Sequence, residues 1–304
     1  MADFVLLSGT SNQPLSAKIA AIVNQQLGAM EVTRFIDNEC RVYVKQEVTG
    51  RDVFVVESLS QIADQHLVEV CLIGQALKNL KAARSTAVIP WLGYSKQDKE
   101  FRKGEAISAQ LVAKFIEAAG FDQVITIELH SETVIPFFHI PVTELSTHAL
   151  LAAAVSAETH KEKTVVVSPD SGGQSRSERF ARQVGLPIVY LDKQRDLASG
   201  SVTVKSISRP VAGMTVIIFD DIINTGATAI KTSEFLKSHR AGKIFFLATH
   251  AVLAGEASRF LAQSPIDQVI VTDTIFIPPE KAFSKLKVVS TDKLLADAIR
   301  SPLR

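Results

Sequence analysis

The chain of 304 residues is long enough for two ordinary domains, each with its own hydrophobic core. Its 33 Lys and Arg residues nearly balance its 32 Asp and Glu residues, which argues against a nucleic acid or an anionic membrane surface as the main partner. Any anion that the protein binds must therefore be captured by a local cluster of residues.

The cysteines and the N-terminal residues indicate in which cellular compartment the protein works. Cys40 and Cys71 are the only cysteines and have no CxxC spacing, which argues against a disulfide framework and against a zinc cluster. The opening residues MADFVLLSGT lack the basic and long apolar segments of a secretory signal, and no run of about 18 apolar residues occurs. We expect a soluble protein of the reducing cytoplasm.

Short apolar runs alternate with amphipathic stretches in the first half of the chain. The run FVLL precedes a predicted helix over 14–27, DVFVVES precedes one over 62–83, and TAVIPWL precedes one over 106–119, before QVITIEL follows. Such alternation is typical of βαβ units, in which helices cover both faces of a parallel sheet. The sequence therefore predicts the α/β class.

The same alternation restarts in the second half, which predicts a second sheet. Its expected strands are KTVVVSPD (163–170), LPIVYLD (186–192), MTVIIFDD (214–221), KIFFLATH (243–250) and QVIVTDTI (268–275). Two sheets in a chain of this length predict two domains.

The domain boundary is expected near residue 145. Residues 141–162 predict one helix that ends in a charged turn, so we place the domains at 1–145 and 146–304. The tail, residues 288–304, predicts a short strand and a helix, and nothing in its sequence assigns it to either domain.

The stretch VIIFDDIINTGAT (216–228) sets Asp220 and Asp221 at the end of an apolar run and a Thr-Gly-Ala-Thr loop before a predicted helix over 229–239. Backbone N–H groups of such a loop and the helix N-terminus together favour a phosphate. Carboxylates at the carboxyl end of a strand lie where open α/β sheets bind ligands, and they can accept hydrogen bonds from vicinal hydroxyls. The stretch predicts a site for a phosphorylated sugar.

This stretch resembles the phosphoribosyl-binding motif of phosphoribosyltransferases, and other motifs narrow the resemblance. Residues 90–118, followed by ITIELHS, are similar to the ATP-binding region of the ribose-phosphate pyrophosphokinase family. The motifs GTSN, RFIDNE, VSPDSGGQSR, LDKQR and VTDTI recur in the order that this family has them. The resemblance implies two phosphoribosyltransferase-like (type I) domains, each a mostly parallel sheet flanked by helices.

The resemblance also implies a reaction. The diphosphoryl group of Mg-ATP is transferred to O1 of ribose 5-phosphate, which gives PRPP and AMP for nucleotide biosynthesis. Mg²⁺ is the implied cofactor, and ATP and ribose 5-phosphate are the implied partners, with no nucleic acid and no membrane. The loop around Phe35 would reach adenine in a neighbouring subunit, so we expect a dimer-based homo-oligomer, a hexamer being one form, with its active site at a subunit interface.

The expected ATP site lies in the first domain. Four cations between Gly93 and Gly104 suit a segment that holds a triphosphate, and an exposed Phe35 beside two carboxylates suits stacking on a purine. The resemblance implies that eight residues bind ATP: Phe35, Asp37, Glu39, Lys96, Gln97, Asp98, Arg102 and His130.

The expected sugar site lies in the second domain. The resemblance implies that eight residues bind ribose 5-phosphate: Asp170, Asp220, Asp221, Asn224, Thr225, Gly226, Ala227 and Thr228. His130 and Asp170 are the implied metal-binding residues, which suffice because Mg²⁺ keeps several waters and substrate phosphates as ligands. Lys193 and Arg195 match a mobile catalytic loop of the family, where positive charge stabilises the transferring group.

Several positions depart from the family pattern, among them Gln194 and the stretch SETVIPFF (131–138). Asn224 and Glu128 each stand where the family usually has Asp, and Ala227 stands where it has Gly. Asn tolerates turn geometry, whereas Ala at a position that needs positive φ costs on the order of 1 kcal/mol. We expect an active but divergent member.

Two other functions stay open. A phosphoribosyltransferase that consumes PRPP uses the same loop, but purine-using members resemble the motif with a carboxylate at the position of Asn224, and an amide cannot accept the proton. A catalytically silent regulatory subunit of an active synthetase is suggested by the changes at Asn224 and Ala227. Retention of Lys193 argues against that subunit.

Overall fold

The chain folds as two units. The structure, a computed structural model, describes residues 4–169, 172–195 and 202–301, without the side chains of 192–195 and 202–205. Among the described residues, the first unit holds the chain up to Ser146, then Thr274–Phe276, then the residues from Ser290 onward. The second unit holds Thr147–Asp273 and Ile277–Val289.

Strands and helices alternate along the described residues. The strands are β1 (Phe4–Ser8), β2 (Met30–Arg34), β3 (Cys40–Val44), β4 (Asp52–Val56), β5 (Arg84–Ile89), β6 (Gln123–Ile127), β7 (Val142–Leu145), β8 (Thr164–Ser168), β9 (Ile188–Arg195), β10 (Val202–Ile207), β11 (Thr215–Ile223), β12 (Ile244–Ala251), β13 (Gln268–Thr272) and β14 (Leu286–Val289). The α-helices are α1 (Gln13–Val23), α2 (Ala63–Asn79), α3 (Ser108–Ala118), α4 (His148–Val155), α5 (Gln174–Val184), α6 (Ala227–Ser238), α7 (Ala257–Gln263) and α8 (Asp292–Arg300). In the part of the chain that is described, no helix has the length and apolar character needed to cross a lipid bilayer.

The first unit is built on a parallel sheet in the order β1-β4-β5-β6-β7. Successive side chains of β1 point to opposite faces, so Leu6 packs with Leu15 of α1 and Leu295 of α8. Leu7 packs on the other face, in the cluster that contains Ile73 of α2. Because helices cover both faces, the strands are continuous apolar runs rather than alternating ones.

The second unit repeats this construction with seven strands in the order β10-β9-β8-β11-β12-β13-β14. All of its pairs are parallel except β9 with β10. Val166 of β8 packs with Leu151 and Phe180 on one face, whereas Val167 packs with Leu236 on the other. The predicted α/β class, with mostly parallel sheets flanked by helices, is confirmed.

One predicted helix is wrong in its first part. Within residues 141–162, Val142–Leu145 forms the edge strand β7, which pairs with β6, and α4 begins only at His148. A strand of four residues is too short to show a period, so the sequence pattern did not separate it from the helix that follows.

An antiparallel hairpin also escaped the sequence analysis. Strands β2 and β3 pair with each other and enclose the turn at residues 35–39. Most hairpin side chains are exposed or half-buried, so the hairpin lacks the apolar runs that identify the sheet strands.

Candidate functional site

The loop between β11 and α6 carries the residues that are expected to bind phosphate. Gly226 precedes the first helical residue and has a left-handed backbone, with φ of 78°. A Cβ at this position would lie 3.1 Å from the Leu261 side chain. Since the first N–H groups of a helix have no partner within the helix, those of α6 are available to an anion.

A cavity of about 160 Å³ opens at this loop. Six of the residues expected to bind ribose 5-phosphate line it: Asp220, Asn224, Thr225, Gly226, Ala227 and Thr228. The structure thus brings one of the two adjacent carboxylates and the helix N-terminus to the same cavity. This is the arrangement that a sugar phosphate requires, with acceptors for hydroxyls and donors for phosphate.

The two carboxylates lie inside β11 rather than after it. The neighbouring strand β8 pairs with β11 only as far as Ile218, so the end of β11 extends beyond that neighbour. Asp220 is partly exposed there, whereas Asp221 is buried, with 2% of its surface exposed.

Arg176 is a residue that the sequence analysis missed. It lies in the first turn of α5, and its Nη1 is 2.9 Å from Asp220 Oδ1 and 2.7 Å from Asp221 Oδ1. One guanidinium therefore contacts both carboxylates, offsets one of their two negative charges and holds Asp220 through a charged hydrogen bond. The sequence did contain a signal for this residue. Arg176 lies just after the Gly pair of SPDSGG, at the start of the helix that follows β8, and β8 is the neighbour of β11 in the sheet.

The turn at residues 35–39 is organised by its own backbone. The Phe35 N–H donates to the Glu39 carbonyl at 3.0 Å, and the Glu39 N–H donates to Asp37 Oδ1 at 3.2 Å. The Phe35 ring is 53% exposed, as stacking on a base requires. Phe35, Asp37 and Glu39, all expected to bind ATP, therefore lie in one hydrogen-bonded turn.

The other expected ATP segments meet at the carboxyl ends of β5 and β6, which are neighbours. Thr133 Oγ1, in the stretch after β6, donates to Asp98 Oδ2 at 2.7 Å. Burial acts to raise the pKa of Asp98, but hydrogen bonds from Thr133 and Ser131 outweigh it, so the pKa lies below its ordinary value. Asp98 is therefore held as a carboxylate.

Gln97, Arg102 and the cations around them lie in irregular backbone between β5 and α3. The Gln97 amide oxygen accepts from Ser108 Oγ at 2.7 Å, and Lys99 lies 5.1 Å from the centre of the exposed Phe101 ring. The Arg102 N–H donates to the Glu105 carboxylate at 3.1 Å. These hydrogen bonds hold Gln97 to the first residue of α3 and Arg102 to the nearby Glu105.

His130 follows β6 and is half-buried. Glu128, two residues earlier, has φ of 38°, a left-handed conformation that is strained for a residue other than Gly or Asn. The Glu128 N–H donates to the Leu145 carbonyl at 3.0 Å, and the Leu129 N–H donates to the Glu144 carboxylate at 2.6 Å. These hydrogen bonds to residues of the edge strand β7 therefore stabilise the strained turn that precedes His130.

Three expected residues receive little or no description. Asp170 lies outside the described residues. Lys193 and Arg195 lie in β9, where their backbones pair with Val204 and Val202 of β10, although the resemblance placed them on a loop. Their side chains are outside the described part of the structure.

The expected metal site is only partly described. Within the described residues, no three side chains of His, Cys, Asp or Glu converge as a metal site built from protein ligands alone would require. Mg²⁺ can be held by one or two side chains together with substrate phosphates and water, so the metal-binding roles expected of His130 and Asp170 stay predictions.

Comparisons with known proteins bear on this site. Two domain families match the chain: the N-terminal domain of ribose phosphate pyrophosphokinase over residues 4–120 and the phosphoribosyl synthetase-associated domain over residues 151–303. A ribose-phosphate pyrophosphokinase of Thermotoga maritima is 38% identical over 98% of this chain and 94% of that protein. The chain belongs to the ribose-phosphate pyrophosphokinase family.

Another member of the ribose-phosphate pyrophosphokinase family, from Pasteurella multocida, is 37% identical over 99% of this chain and 96% of its own length. The crystal structure of phosphoribosylpyrophosphate synthetase from Mycobacterium smegmatis is similar as well, with a TM-score of 0.91, 34% identity and 98% of both chains covered. The family resemblance and the fold predicted from the sequence motifs are confirmed.

The left-handed backbone at Gly226 yields a matched pair of predictions. Gly226→Ala should cost about 1–2 kcal/mol in the free energy of unfolding, because an alanine is strained at positive φ, and should weaken the binding of ribose 5-phosphate. Ala227→Gly should cost at most about 1 kcal/mol, because residue 227 begins the helix. Urea unfolding and calorimetric titration measure both effects; a larger loss from Ala227→Gly would contradict the assignment.

The contacts of Arg176 predict a selective defect. Arg176→Gln should raise the KM for ribose 5-phosphate about tenfold or more, since a lost charged hydrogen bond is worth about 1.5–3 kcal/mol, and should change the KM for ATP little. Arg176→Lys should recover part of the loss because it keeps the charge. The exposed Arg182, on the same helix, gives the control Arg182→Gln. Equal changes in both KM values would show that Arg176 only supports the fold.

Proposed function

We propose that this protein is a ribose-phosphate diphosphokinase. It transfers the β,γ-diphosphoryl group of ATP to the anomeric hydroxyl of ribose 5-phosphate, which yields PRPP and AMP and feeds nucleotide biosynthesis. The observation that carries the proposal is a cavity of the second unit that is lined by both Asp220 and the N-terminus of α6, in a chain of this family.

In this proposal the cavity sets the position of the pentose. The 5-phosphate accepts hydrogen bonds from the N–H groups of the loop Asn224–Thr228, and the α6 N-terminus adds a favourable field. Asp220, which accepts a hydrogen bond from Arg176, accepts hydrogen bonds from the vicinal hydroxyls, while the buried Asp221 contacts Arg176 behind it. The anomeric hydroxyl is then left free to attack the β-phosphorus of ATP.

The first unit supplies the proposed nucleotide contacts. Phe35 stacks on the adenine, and Asp37 and Glu39 accept hydrogen bonds from the base or ribose. Lys96 and Arg102, with Gln97 and Asp98 beside them, hold the triphosphate. The exposed ring of Phe35 and the fixed carboxylate of Asp98 support these roles.

Charge neutralisation completes the proposed mechanism. The O1–Pβ bond forms while the bond from Pβ to the bridging oxygen of AMP breaks and the hydroxyl proton leaves to water, so negative charge accumulates on the transferring group and on AMP. Lys193 and Arg195 stabilise that charge. Mg²⁺, when bound near His130 and Asp170, would neutralise the phosphates and orient them.

The structure weakens one of the two reasons for considering a silent regulatory subunit. That alternative rested partly on Ala227, but the positive φ of the loop belongs to Gly226, and Ala227 is an ordinary first residue of α6. The alternative of a PRPP-consuming transferase is disfavoured by the Asn224 amide, which cannot act as a proton acceptor. We further propose a cytoplasmic homo-oligomer in which the Phe35 turn serves a neighbouring subunit.

The proposal is tested by incubating the purified protein with Mg-ATP and ribose 5-phosphate and measuring the products by mass spectrometry. PRPP and AMP should appear in equal amounts and only when both substrates are present. Consumption of added PRPP with a free base would identify a phosphoribosyltransferase instead. Binding of both substrates without AMP would identify a silent subunit.

The same assay checks the proposed catalytic cation. Lys193→Ala should lower kcat about 10³-fold, by analogy with other cations that stabilise phosphoryl transfer, with little change in ATP affinity. Lys163→Ala, at an exposed lysine before β8, is the matched control and should leave kcat unchanged. A variant at Lys193 with normal turnover would remove this residue from the mechanism.

A further inference from the structure

Two buried glutamates lie together in the first unit, and neither is among the residues assigned to ATP. Glu57 follows β4 and Glu69 lies in α2, and they are 0% and 2% exposed. Glu57 Oε2 lies 1.6 Å, and Glu69 Oε1 3.0 Å, from the position that a Cβ on Gly9 would occupy. The two carboxyl groups therefore converge on the one backbone position that has no side chain to separate them.

The partners of the two groups differ. Both oxygens of Glu69 accept hydrogen bonds from Thr10, one from the N–H and one from Oγ1, each at 2.7 Å. Glu57 Oε2 accepts one long bond, 3.4 Å, from the Ser11 N–H, and its Oε1 is buried with no hydrogen-bond partner. Two short hydrogen bonds from donors, as at Glu69, favour a carboxylate, whereas a buried oxygen without a partner, as at Glu57, favours a neutral acid.

Among the described residues, neither carboxyl group forms an ion pair with Lys, Arg or His. Two carboxylates this close and this deeply buried cannot both be ionised without a large cost, so such pairs hold one proton between them.

We propose that Glu57 and Glu69 share one proton, with Glu57 as the acid and Glu69 as the carboxylate, and that this proton anchors the loop of residues 9–12. In this proposal the hydrogen bond through the shared proton holds Glu69, whose two oxygens in turn hold Thr10. The loop ends in Asn12, whose side chain accepts from the Leu15 N–H at 3.3 Å and caps α1. The shared proton therefore sets the start of α1.

The contact extends to a distant part of the sequence. Ser11 Oγ accepts from the Ser58 N–H at 2.7 Å, and Ser58 Oγ donates to the Thr274 carbonyl at 2.5 Å. Thr274 belongs to the short segment 274–276 that lies in the first unit. The pair thus lies at a junction of the 9–12 loop, the end of β4 and this segment.

The titratable surroundings are few. The α2 helix presents Glu69 and also His66, whose Nδ1 lies 2.8 Å from the Ser60 carbonyl oxygen. The β2–β3 hairpin contributes Cys40 and Arg34: burial and then Glu69 and Glu57 raise the pKa of the Cys40 thiol, while Arg34 lowers it. The 9–12 loop and the segment 274–276 carry no titratable side chain.

The proposal makes the first unit sensitive to pH. Burial and then the charge of Glu69 raise the pKa of Glu57 well above the ordinary glutamate value of 4.5. The proton's contribution to stability is therefore complete below 4.5 and is lost as the pH rises through the raised pKa of the folded state. Above that pKa the like charges repel and release Thr10.

Thermal unfolding of the full chain between about pH 5 and pH 9 tests this, because the pH slope reports the protons bound on folding. The unfolding midpoint of the natural protein should fall with rising pH relative to Glu57→Gln, whose amide donates to Glu69 at every pH. Glu280→Gln, at an exposed position, should keep the natural slope. Parallel profiles for the natural protein and Glu57→Gln would overturn the proposal.

Hydrogen exchange gives a local measurement. At the upper end of the pH range, peptides covering Thr10 should exchange about tenfold faster in the natural protein than in Glu57→Gln at the same pH, as expected for a lost buried hydrogen bond. Equal exchange in the two proteins would mean that the pair does not anchor the loop.

A third measurement needs no variant and remains decisive if Glu57→Gln fails to fold. Infrared spectroscopy of the natural protein near neutral pH should show the carbonyl band of a buried protonated carboxylic acid, and its absence would overturn the proposal. None of these measurements uses ATP or ribose 5-phosphate, so their outcome is independent of the proposed function.

Discussion

Burial of both faces of each parallel sheet is the constraint from which the rest of the structure follows. Leu6 and Leu7 of β1 enter different clusters, as do Val166 and Val167 of β8. Because neither face of such a sheet is solvated, charged side chains that can meet a ligand lie mainly toward the strand ends and in the loops beyond them. Asp220 lies at such an end, at the edge that β8 leaves open.

The same constraint places acidic groups close to the core, where each needs compensation. At Asp220 and Asp221 the compensation is Arg176, which contacts both carboxylates and leaves lone pairs for a ligand's hydroxyls. At Glu57 no cation of the described residues is bonded, and a proton fills that role in our proposal. An arginine stabilises carboxylates that stay charged and can bind a ligand. A shared proton instead stabilises a contact inside the fold and makes that contact sensitive to pH.

Much of the fold and part of the site could be predicted from local sequence. Apolar runs of strand length identified the sheet strands, and the Thr-Gly-Ala-Thr stretch identified the start of a helix, because both signals lie within a few residues. The hairpin β2–β3 and the edge strand β7 were missed because partly solvated, short strands lack that signal. The concern about Ala227 was misplaced by one residue, since only the backbone shows that Gly226 takes the left-handed turn.

The sequence by itself determined the α/β class, the family and the loop that begins with Asp220, because these depend on residue types at short spacings. The tertiary structure alone decided which distant groups meet: Arg176 with Asp221, Thr133 with Asp98, and Glu57 with Glu69. Each of these pairs is set by which strands are neighbours in a sheet or by how a helix packs on it. Contacts of that kind depend on packing in three dimensions, and no local pattern of residues encodes them.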